Sequence, residues 1–205
     1  MPEFRALLDG YRRFRADAYQ GQRLRWSDLA EGQAPPVMVI GCCDSRVDPG
    51  MIFDTAPGQA FVLRNVANLV PPCEAGGGLH GVSAAIEFAV RSLAVRHIVV
   101  LGHARCGGVA AALALREPVP GQNRFIEDWV SILGPARDRV LLSGATDKQE
   151  ALELEAIRVS LTNLRSFACV REREDAGELK LHGAYFSIAA GELRVLTDDG
   201  VFEAA

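Results

Sequence analysis

Short runs of β-branched and apolar residues alternate along this chain with stripes of apolar residues at helical spacing. Buried strands are predicted at 37–40, 60–63, 97–101, 179–188 and 193–196. Between the second and third runs, the apolar positions follow a helical repeat: Val82, Ala85, Ile86, Ala89, Val90 and Leu93. Strand, helix and strand in that order predict a parallel sheet. We therefore expect an α/β fold with a mostly parallel four-stranded central sheet, an optional added edge strand and flanking helices.

The N-terminal segment carries a helical apolar stripe of its own, formed by Phe4, Leu7, Leu8, Tyr11 and Phe14. A second helix is predicted before residue 32. We treat residues 1–33 as a helical arm that belongs to a single domain spanning 1–205. Such an arm can dock on a partner subunit or on its own domain, and the pattern allows both.

Two later features indicate helix boundaries. Pro135 lies near the middle of an apolar helical pattern over 129–140, so a kink or break is predicted there. Thr146 and Gln149 have the spacing of a capping box, which predicts the start of a long helix through Leu164.

Composition narrows the class of protein. Hydrophobic residues make up 49% and charged residues 23% of 205 residues, which is an ordinary globular balance. A net charge of −4 gives no electrostatic reason to expect nucleic acid or an anionic membrane as a partner. We see neither a membrane-span-length apolar run nor a signal-peptide core. Five cysteines, two of them adjacent, favour reduced thiols, and the cytoplasm is the expected location.

The candidate chemistry lies in two loops that each follow a predicted strand. Cys42, Asp44 and Arg46 are in the first, and His103 and Cys106 are in the second. Neighbouring parallel strands would open both loops at one sheet edge. Thiolates and imidazole are zinc ligands, and three of them leave the fourth position for water or Asp44. The competing interpretation, two buried thiols and a core histidine, explains neither the spacing nor the shared edge.

The charges around these residues suggest separate roles. Two thiolates cancel the charge of Zn²⁺, and a nearby carboxylate can then hold a zinc-bound hydroxide in place. Arg46 can keep Asp44 ionised and oriented. Gly107 and Gly108 allow the backbone to approach the metal closely. We expect Arg64 to form a loop or interface ion pair, and Cys43 to pack on the opposite side of its strand.

The pattern Cys-x-Asp-x-Arg followed by His-x-x-Cys closely resembles that of the β-class carbonic anhydrases. The likeness extends over residues 64–68, 84–87, 102–108 and 181–183 and covers the chain from about Gln33 onward. It implies one zinc per chain, held by Cys42, His103 and Cys106. It also implies reversible hydration of CO₂ to bicarbonate and a proton, with zinc hydroxide oriented by an Asp44–Arg46 dyad.

The same resemblance implies a substrate pocket and an assembly. The pocket positions are Gln33, Phe61, Val66, Leu79 and Gly107, with Leu79 standing where members often have a Tyr. Gln33 would face the active site across the interface of a homodimer, which can assemble further into a tetramer.

The resemblance is greatest to bacterial members whose zinc stays open to water. Members inhibited by bicarbonate at a separate site carry a Trp and a Tyr where this chain has Val39 and Phe186. We therefore expect that allosteric site to be missing and Asp44 to stay off the metal near neutral pH.

Three other interpretations stay open from the residues. A related zinc hydrolase of carbon disulfide or carbonyl sulfide could use the same ligands. A non-catalytic zinc-stabilised interaction domain would bind the metal without an open coordination position. A thiol redox protein is the weakest, because Cys106 lies far in sequence from Cys42 and Cys43.

Overall fold

The structure is a computed structural model that describes residues 1–74, 80–115 and 124–205. Two compact units make up the chain, Met1–Ala34 and Pro35–Ala205. Within the described residues, every helix is too short or too polar to cross a membrane.

The N-terminal unit consists of three helices: α1 (Pro2–Ala16), α2 (Ala18–Gly21) and α3 (Arg23–Ala30). An aromatic cluster of Phe14, Tyr19 and Trp26 connects them, with ring centroids 5.8–6.2 Å apart. None of the residues in these helices is buried. The predicted apolar stripe is therefore a surface of the chain.

The second unit is built on a sheet. Its strands are β1 (Val37–Cys42), β2 (Ala60–Asn65), β3 (His97–His103), β4 (Lys180–Ser187), β5 (Glu192–Leu196) and β6 (Phe202–Ala204). The order is β2-β1-β3-β4-β5-β6, with the first four strands parallel and the last two antiparallel. The predicted parallel four-stranded core is confirmed. The single optional edge strand is replaced by two strands, so the described sheet has six.

Helices connect and cover the strands. They are α4 (Pro49–Ile52), α5 (Gly81–Glu87), α6 (Gly107–Leu113), α7 (Phe125–Val130), α8 (Gly134–Leu142), α9 (Lys148–Leu164) and α10 (Ala168–Asp175). A short π-helix at Phe88–Ser92 continues α5, and short 3₁₀ helices occur at Val66–Asn68 and Ser131–Leu133. Pro135 lies in the first turn of α8, which confirms the predicted break, because proline is accommodated where no intrahelical N–H is needed.

Helix α9 packs directly onto the sheet. A Cβ on Gly102 of β3 or on Gly183 of β4 would lie 2.8 Å from the side chain of Ile157. The two glycines therefore create the space that Ile157 fills. Gly183 and Ile157 are near the middle of their elements, and Gly102 directly precedes the last residue of β3. This contact fixes the height of α9 relative to the carboxyl ends of β3 and β4.

The register of the parallel strands sets the position of the two loops. Gly41 pairs with Leu101, so β1 and β3 end at the same edge of the sheet. The loop that begins at Cys42 and the loop that begins at His103 consequently leave the sheet side by side, as the sequence predicts.

Candidate active site

Three side chains converge where β1 and β3 end. Cys42 is the last residue of β1, His103 is the last residue of β3, and Cys106 caps the N-terminus of α6. All three are buried, and one ligand atom from each lies within 4.8 Å of the others. The loop between His103 and Cys106 turns through Arg105, whose φ of 57° is in the left-handed region.

The geometry fits a zinc ion. The Cys42 and Cys106 sulfurs are 3.9 Å apart, and two thiolates on a tetrahedral zinc would lie roughly 3.8 Å apart. His103 Nδ1 is 2.9 Å from the Ala104 carbonyl oxygen, which fixes the ring. The buried Nε2 of His103 has no hydrogen-bond partner among the described residues. An orphaned ring nitrogen beside two sulfurs is the arrangement expected of an imidazole ligand.

The Cys42 and Cys106 sulfurs are within hydrogen-bond distance, so that either thiol can donate its proton to the other. The neighbouring Cys106 thiol lowers the pKa of Cys42 to about 4, with help from backbone N–H groups of Asp44 and Ala67. The same hydrogen bond raises the pKa of Cys106. A metal ion in this position replaces that proton, so binding is favoured as the thiols ionise.

Arg46 holds the Asp44 carboxylate firmly. Asp44 Oδ1 accepts hydrogen bonds from the backbone N–H of Arg46 at 3.0 Å and from its Nε at 2.9 Å, and Oδ2 accepts one from Nη2 at 2.7 Å. These bonds keep the pKa of Asp44 well below its ordinary value. Oδ2 is also 4.0 Å from His103 Nε2, so its remaining lone pair lies beside the ligand cluster.

Arg64 fastens the first loop from the neighbouring strand. Its guanidinium donates to the carbonyl oxygens of Cys42 at 2.8 Å and Asp44 at 2.7 Å, and to Asp48 Oδ2 at 3.0 Å. The predicted loop ion pair is confirmed. Its two backbone contacts, which the sequence does not reveal, hold the carbonyl groups of a metal ligand and of Asp44.

Helix α9 supplies contacts to Cys106 that the sequence analysis missed. Glu153, which is buried, accepts the Cys106 backbone N–H at 2.9 Å. Gln149 donates from Nε2 to the same Glu153 oxygen at 3.0 Å, and Tyr185 donates its hydroxyl to the other oxygen at 2.8 Å. The sequence could have pointed to Glu153, because this residue occupies a buried position of a helix whose inward face is otherwise largely apolar.

The predicted pocket residues differ in how near they lie to Cys42 and Cys106 of their own chain. Val66 is close, because a Cβ on Gly108 would lie 2.6 Å from it and Gly108 follows Cys106 by two residues. Gly107 is exposed, and no described atom lies within 4 Å of where its Cβ would be. Phe61 pairs with Met38, four residues before Cys42 and so about 13 Å away along the strand.

Of the other predicted positions, Gln33 belongs to the N-terminal unit, where it is exposed. Leu79 lies outside the described residues. The prediction that Cys43 packs against the other side of the sheet is wrong, because β1 ends at Cys42 and the Cys43 side chain is exposed.

Comparison with known proteins identifies the family. The carbonic anhydrase family model matches residues 37–193. The chain belongs to the β-class carbonic anhydrases. It is similar to Arabidopsis thaliana beta carbonic anhydrase 3, with 35% identity over 190 residues that cover 90% of this chain and 73% of that protein. It is 38% identical to Arabidopsis thaliana mitochondrial beta carbonic anhydrase 6 over 86% of this chain and 62% of the relative.

Solved structures agree with that assignment. The β-carbonic anhydrase CcaA superposes with a TM-score of 0.90 at 31% identity, covering 100% of this chain and 93% of CcaA. A tetrameric β-carbonic anhydrase from Sordaria macrospora superposes with a TM-score of 0.81 at 27% identity, covering both chains fully. In this carbonic anhydrase, Cys42, His103 and Cys106 are the group that can hold the zinc ion of the family.

Proposed function

We propose that the chain catalyses the reversible hydration of CO₂ to bicarbonate and a proton at a zinc ion held by Cys42, His103 and Cys106, with Asp44 and Arg46 as its catalytic dyad. One observation carries the proposal. Asp44 Oδ2, which accepts a hydrogen bond from Arg46, lies 4.0 Å from His103 Nε2, one of the nitrogen atoms that could ligate a metal ion beside Cys42 and Cys106.

The residues of the site have separate roles in the proposed reaction. Cys42, His103 and Cys106 would hold the zinc ion, which would supply Lewis-acid activation of water near neutral pH. Asp44 is ionised and acts as a hydrogen-bond acceptor that orients the attacking oxygen. Arg46 fixes Asp44 through three hydrogen bonds and so prevents the carboxylate from rotating. Val66, beside the ligands, provides apolar surface suited to CO₂.

We also propose that Asp44 stays off the metal in the active form, as in the open type of this family. Both carboxylate oxygens are occupied by Arg46, and moving Asp44 onto the metal would break at least one charge-assisted hydrogen bond. A crystal structure of the zinc-loaded protein at slightly alkaline pH with Asp44 coordinated to zinc would contradict this assignment.

A homodimer with the active site near the subunit interface accounts best for the remaining pocket positions. Phe61 is remote from Cys42 in its own chain and contacts Phe88, with ring centroids 5.9 Å apart. Phe88 is 46% exposed, and the residues of the apolar stripe of the arm are exposed as well, which suits contact with a second copy. We propose that Phe61 and Gln33 serve the site of a partner subunit.

A cytoplasmic location is proposed because all five cysteines are free.

Two substitutions distinguish the metal ligand from the dyad. We expect Cys42→Ser to lose zinc and activity together, because one thiolate is removed from the cluster. Asp44→Asn should retain about one zinc per chain and lose roughly 100-fold or more in kcat/KM, since the amide cannot replace a carboxylate acceptor. Zinc content by atomic emission and stopped-flow CO₂ hydration on the same samples decide. Full activity in Asp44→Asn would contradict the dyad.

A further inference from the structure

The strongest feature outside the ligands and the dyad is a buried carboxyl group behind Cys106. Glu153 is 3% exposed and lies on the inward face of α9. Burying a carboxyl group is costly unless its oxygens find partners, and here both do. Oε1 accepts from the Cys106 backbone N–H and from Gln149, and Oε2 accepts from the Tyr185 hydroxyl.

The first turns of α9 contact both sides of the Cys106 residue. Glu153 accepts its N–H at 2.9 Å, and Gln149 Nε2 is 3.4 Å from its carbonyl oxygen. Without these contacts the position of Cys106 would be poorly fixed, since it caps α6 directly after a residue with left-handed φ. A ligand on a strained loop keeps its position only if surrounding groups determine it.

A second layer of contacts holds Glu153 itself. The Tyr185 ring lies under the Arg194 guanidinium at 4.6 Å, and Arg194 pairs with Glu150 on α9 at 2.6 Å. Ile157, one turn beyond Glu153, packs so closely against Gly102 and Gly183 that a Cβ on either glycine would lie 2.8 Å from it. The position of the Glu153 carboxyl group is therefore set by β3, β4, β5 and α9 together.

We propose that Glu153 is a positioning residue of the zinc site, which holds Cys106 by accepting its backbone N–H. The inference rests on the proposed function, since it takes Cys106 to be a zinc ligand. Groups that support a metal ligand in this way contribute to affinity as well as to geometry. The carboxyl group acts here as a hydrogen-bond acceptor, so an amide that keeps an oxygen in the same place can substitute for it.

The test compares zinc affinity, by competition with a chromophoric chelator, in the wild type and in variants of the full chain. We expect Glu153→Leu to weaken zinc binding by about 10- to 100-fold, and Glu153→Gln by less than about tenfold. Glu155 provides a matched control on the same helix, because it pairs with Arg139 and Arg158 and lies away from Cys106. Glu155→Leu should bind zinc as the wild type does.

Cobalt(II) replacing zinc supplies a readout that a loss of stability alone would not move. Absorption bands of the cobalt–thiolate centre should shift in Glu153→Leu and stay unchanged in Glu153→Gln and Glu155→Leu. Wild-type affinity and spectrum in Glu153→Leu would overturn the proposal, and so would equal losses in the Leu and Gln variants. Failure of the wild type itself to bind zinc would instead refute the proposed function.

If Glu153→Leu does not fold, Tyr185→Phe decides. This substitution conserves volume and removes only the hydroxyl that holds Glu153 Oε2. We expect zinc binding about fivefold weaker, the effect of one lost hydrogen bond. Unchanged affinity together with an unchanged cobalt spectrum would overturn the proposal.

Discussion

Arg46 both positions the Asp44 carboxylate and keeps it ionised. Three hydrogen bonds from one residue fix the carboxylate in space and also keep it ionised. Arg46 itself is tied to the second loop, because Nη2 donates to the Arg105 carbonyl oxygen at 3.1 Å. The Asp44–Arg46 pair therefore connects the loop that carries Cys42 with the loop that carries His103 and Cys106.

This pairing has a consequence for stability that depends on pH. Because the pKa of Asp44 is lowered in the folded chain, the stability that it contributes is fully present above its ordinary pKa of 3.8 and is lost as the pH falls through the lowered value. Arg46→Gln removes the cause. We expect the difference in free energy of unfolding between wild type and Arg46→Gln to stay constant from neutral pH to about 5 and to narrow below about 4.

Urea unfolding at a series of pH values measures that difference, with zinc removed from both proteins by a chelator. Arg91→Gln is the control, because the ion pair of Arg91 with Glu87 is 61% exposed on both sides and should contribute little at any pH. A difference for Arg46→Gln that grows as acid is added would contradict the assignment.

Sequence alone predicted the residues of the site that are close together in the chain. Cys42, Asp44 and Arg46 lie within five positions, so local spacing reveals their shared loop. Glu153 reaches Cys106 from 47 positions away, and Tyr185 reaches Glu153 from 32 positions away, so only the packed structure brings them together. Phe61 was assigned to the pocket through the family resemblance, yet the strand register separates it from Cys42 of the same chain.

Helix α9 was predicted in extent but not in how it begins or docks. Thr146 fits the capping-box pattern, whereas the observed cap is Asp147, whose carboxylate accepts the N–H groups of Gln149 and Glu150 at 3.0 Å each. A carboxylate at the positive end of a helix is favoured by the dipole as well. The docking depends on two glycines far apart in sequence, which no periodicity reveals.

The close packing of α9 can be tested at Gly183. A Cβ there would lie 2.8 Å from Ile157, 3.1 Å from Leu196 and 3.2 Å from Leu161. We expect Gly183→Ala to lower the free energy of unfolding by about 1–3 kcal/mol, because neighbours on two elements must shift. Gly134→Ala is the control, since no described atom lies within 4 Å of its Cβ position. Chemical denaturation of both variants measures the effect, and equal stability of the two would contradict it.

The sheet shows where prediction by pattern ends. Three of the parallel strands, β1, β2 and β3, carry four consecutive apolar or β-branched residues, and β4 carries three; all four were predicted. Strand β6 has only three residues, Phe202–Ala204, and pairs with β5 across a turn that contains Gly200 at a φ of 80°. Three residues contain too little alternation to distinguish a strand from a loop, so the sixth strand was missed.

At the level of the assembly, the arm has apolar side chains that are exposed in the single chain. Leu7 is 70% exposed and Tyr11 is 56% exposed on α1. The proposed dimer would cover them, and the description of 1–33 as a dimerisation arm within one domain stays a prediction. Its sequence signal was the helical stripe, which indicates an apolar face but not its partner.

A charged residue introduced into the apolar stripe of the arm tests the proposed contact. We expect Leu7→Glu to weaken self-association, because a carboxylate would have to be buried without a partner. Arg5→Glu changes a neighbouring exposed residue and should leave the assembly intact. Sedimentation velocity at several concentrations gives the mass of each species. The same oligomer for Leu7→Glu and wild type would argue against the arm as the interface.

The most direct test of the account is to measure zinc and catalysis on one preparation. Zinc per chain is determined by atomic emission, and CO₂ hydration is followed by stopped-flow between pH 7 and about 9, where hydroxide is available at zinc. We expect about one zinc per chain and a hydration rate that disappears when a chelator removes the metal and returns when zinc is restored. A fully zinc-loaded protein with no hydration activity across that range would contradict it.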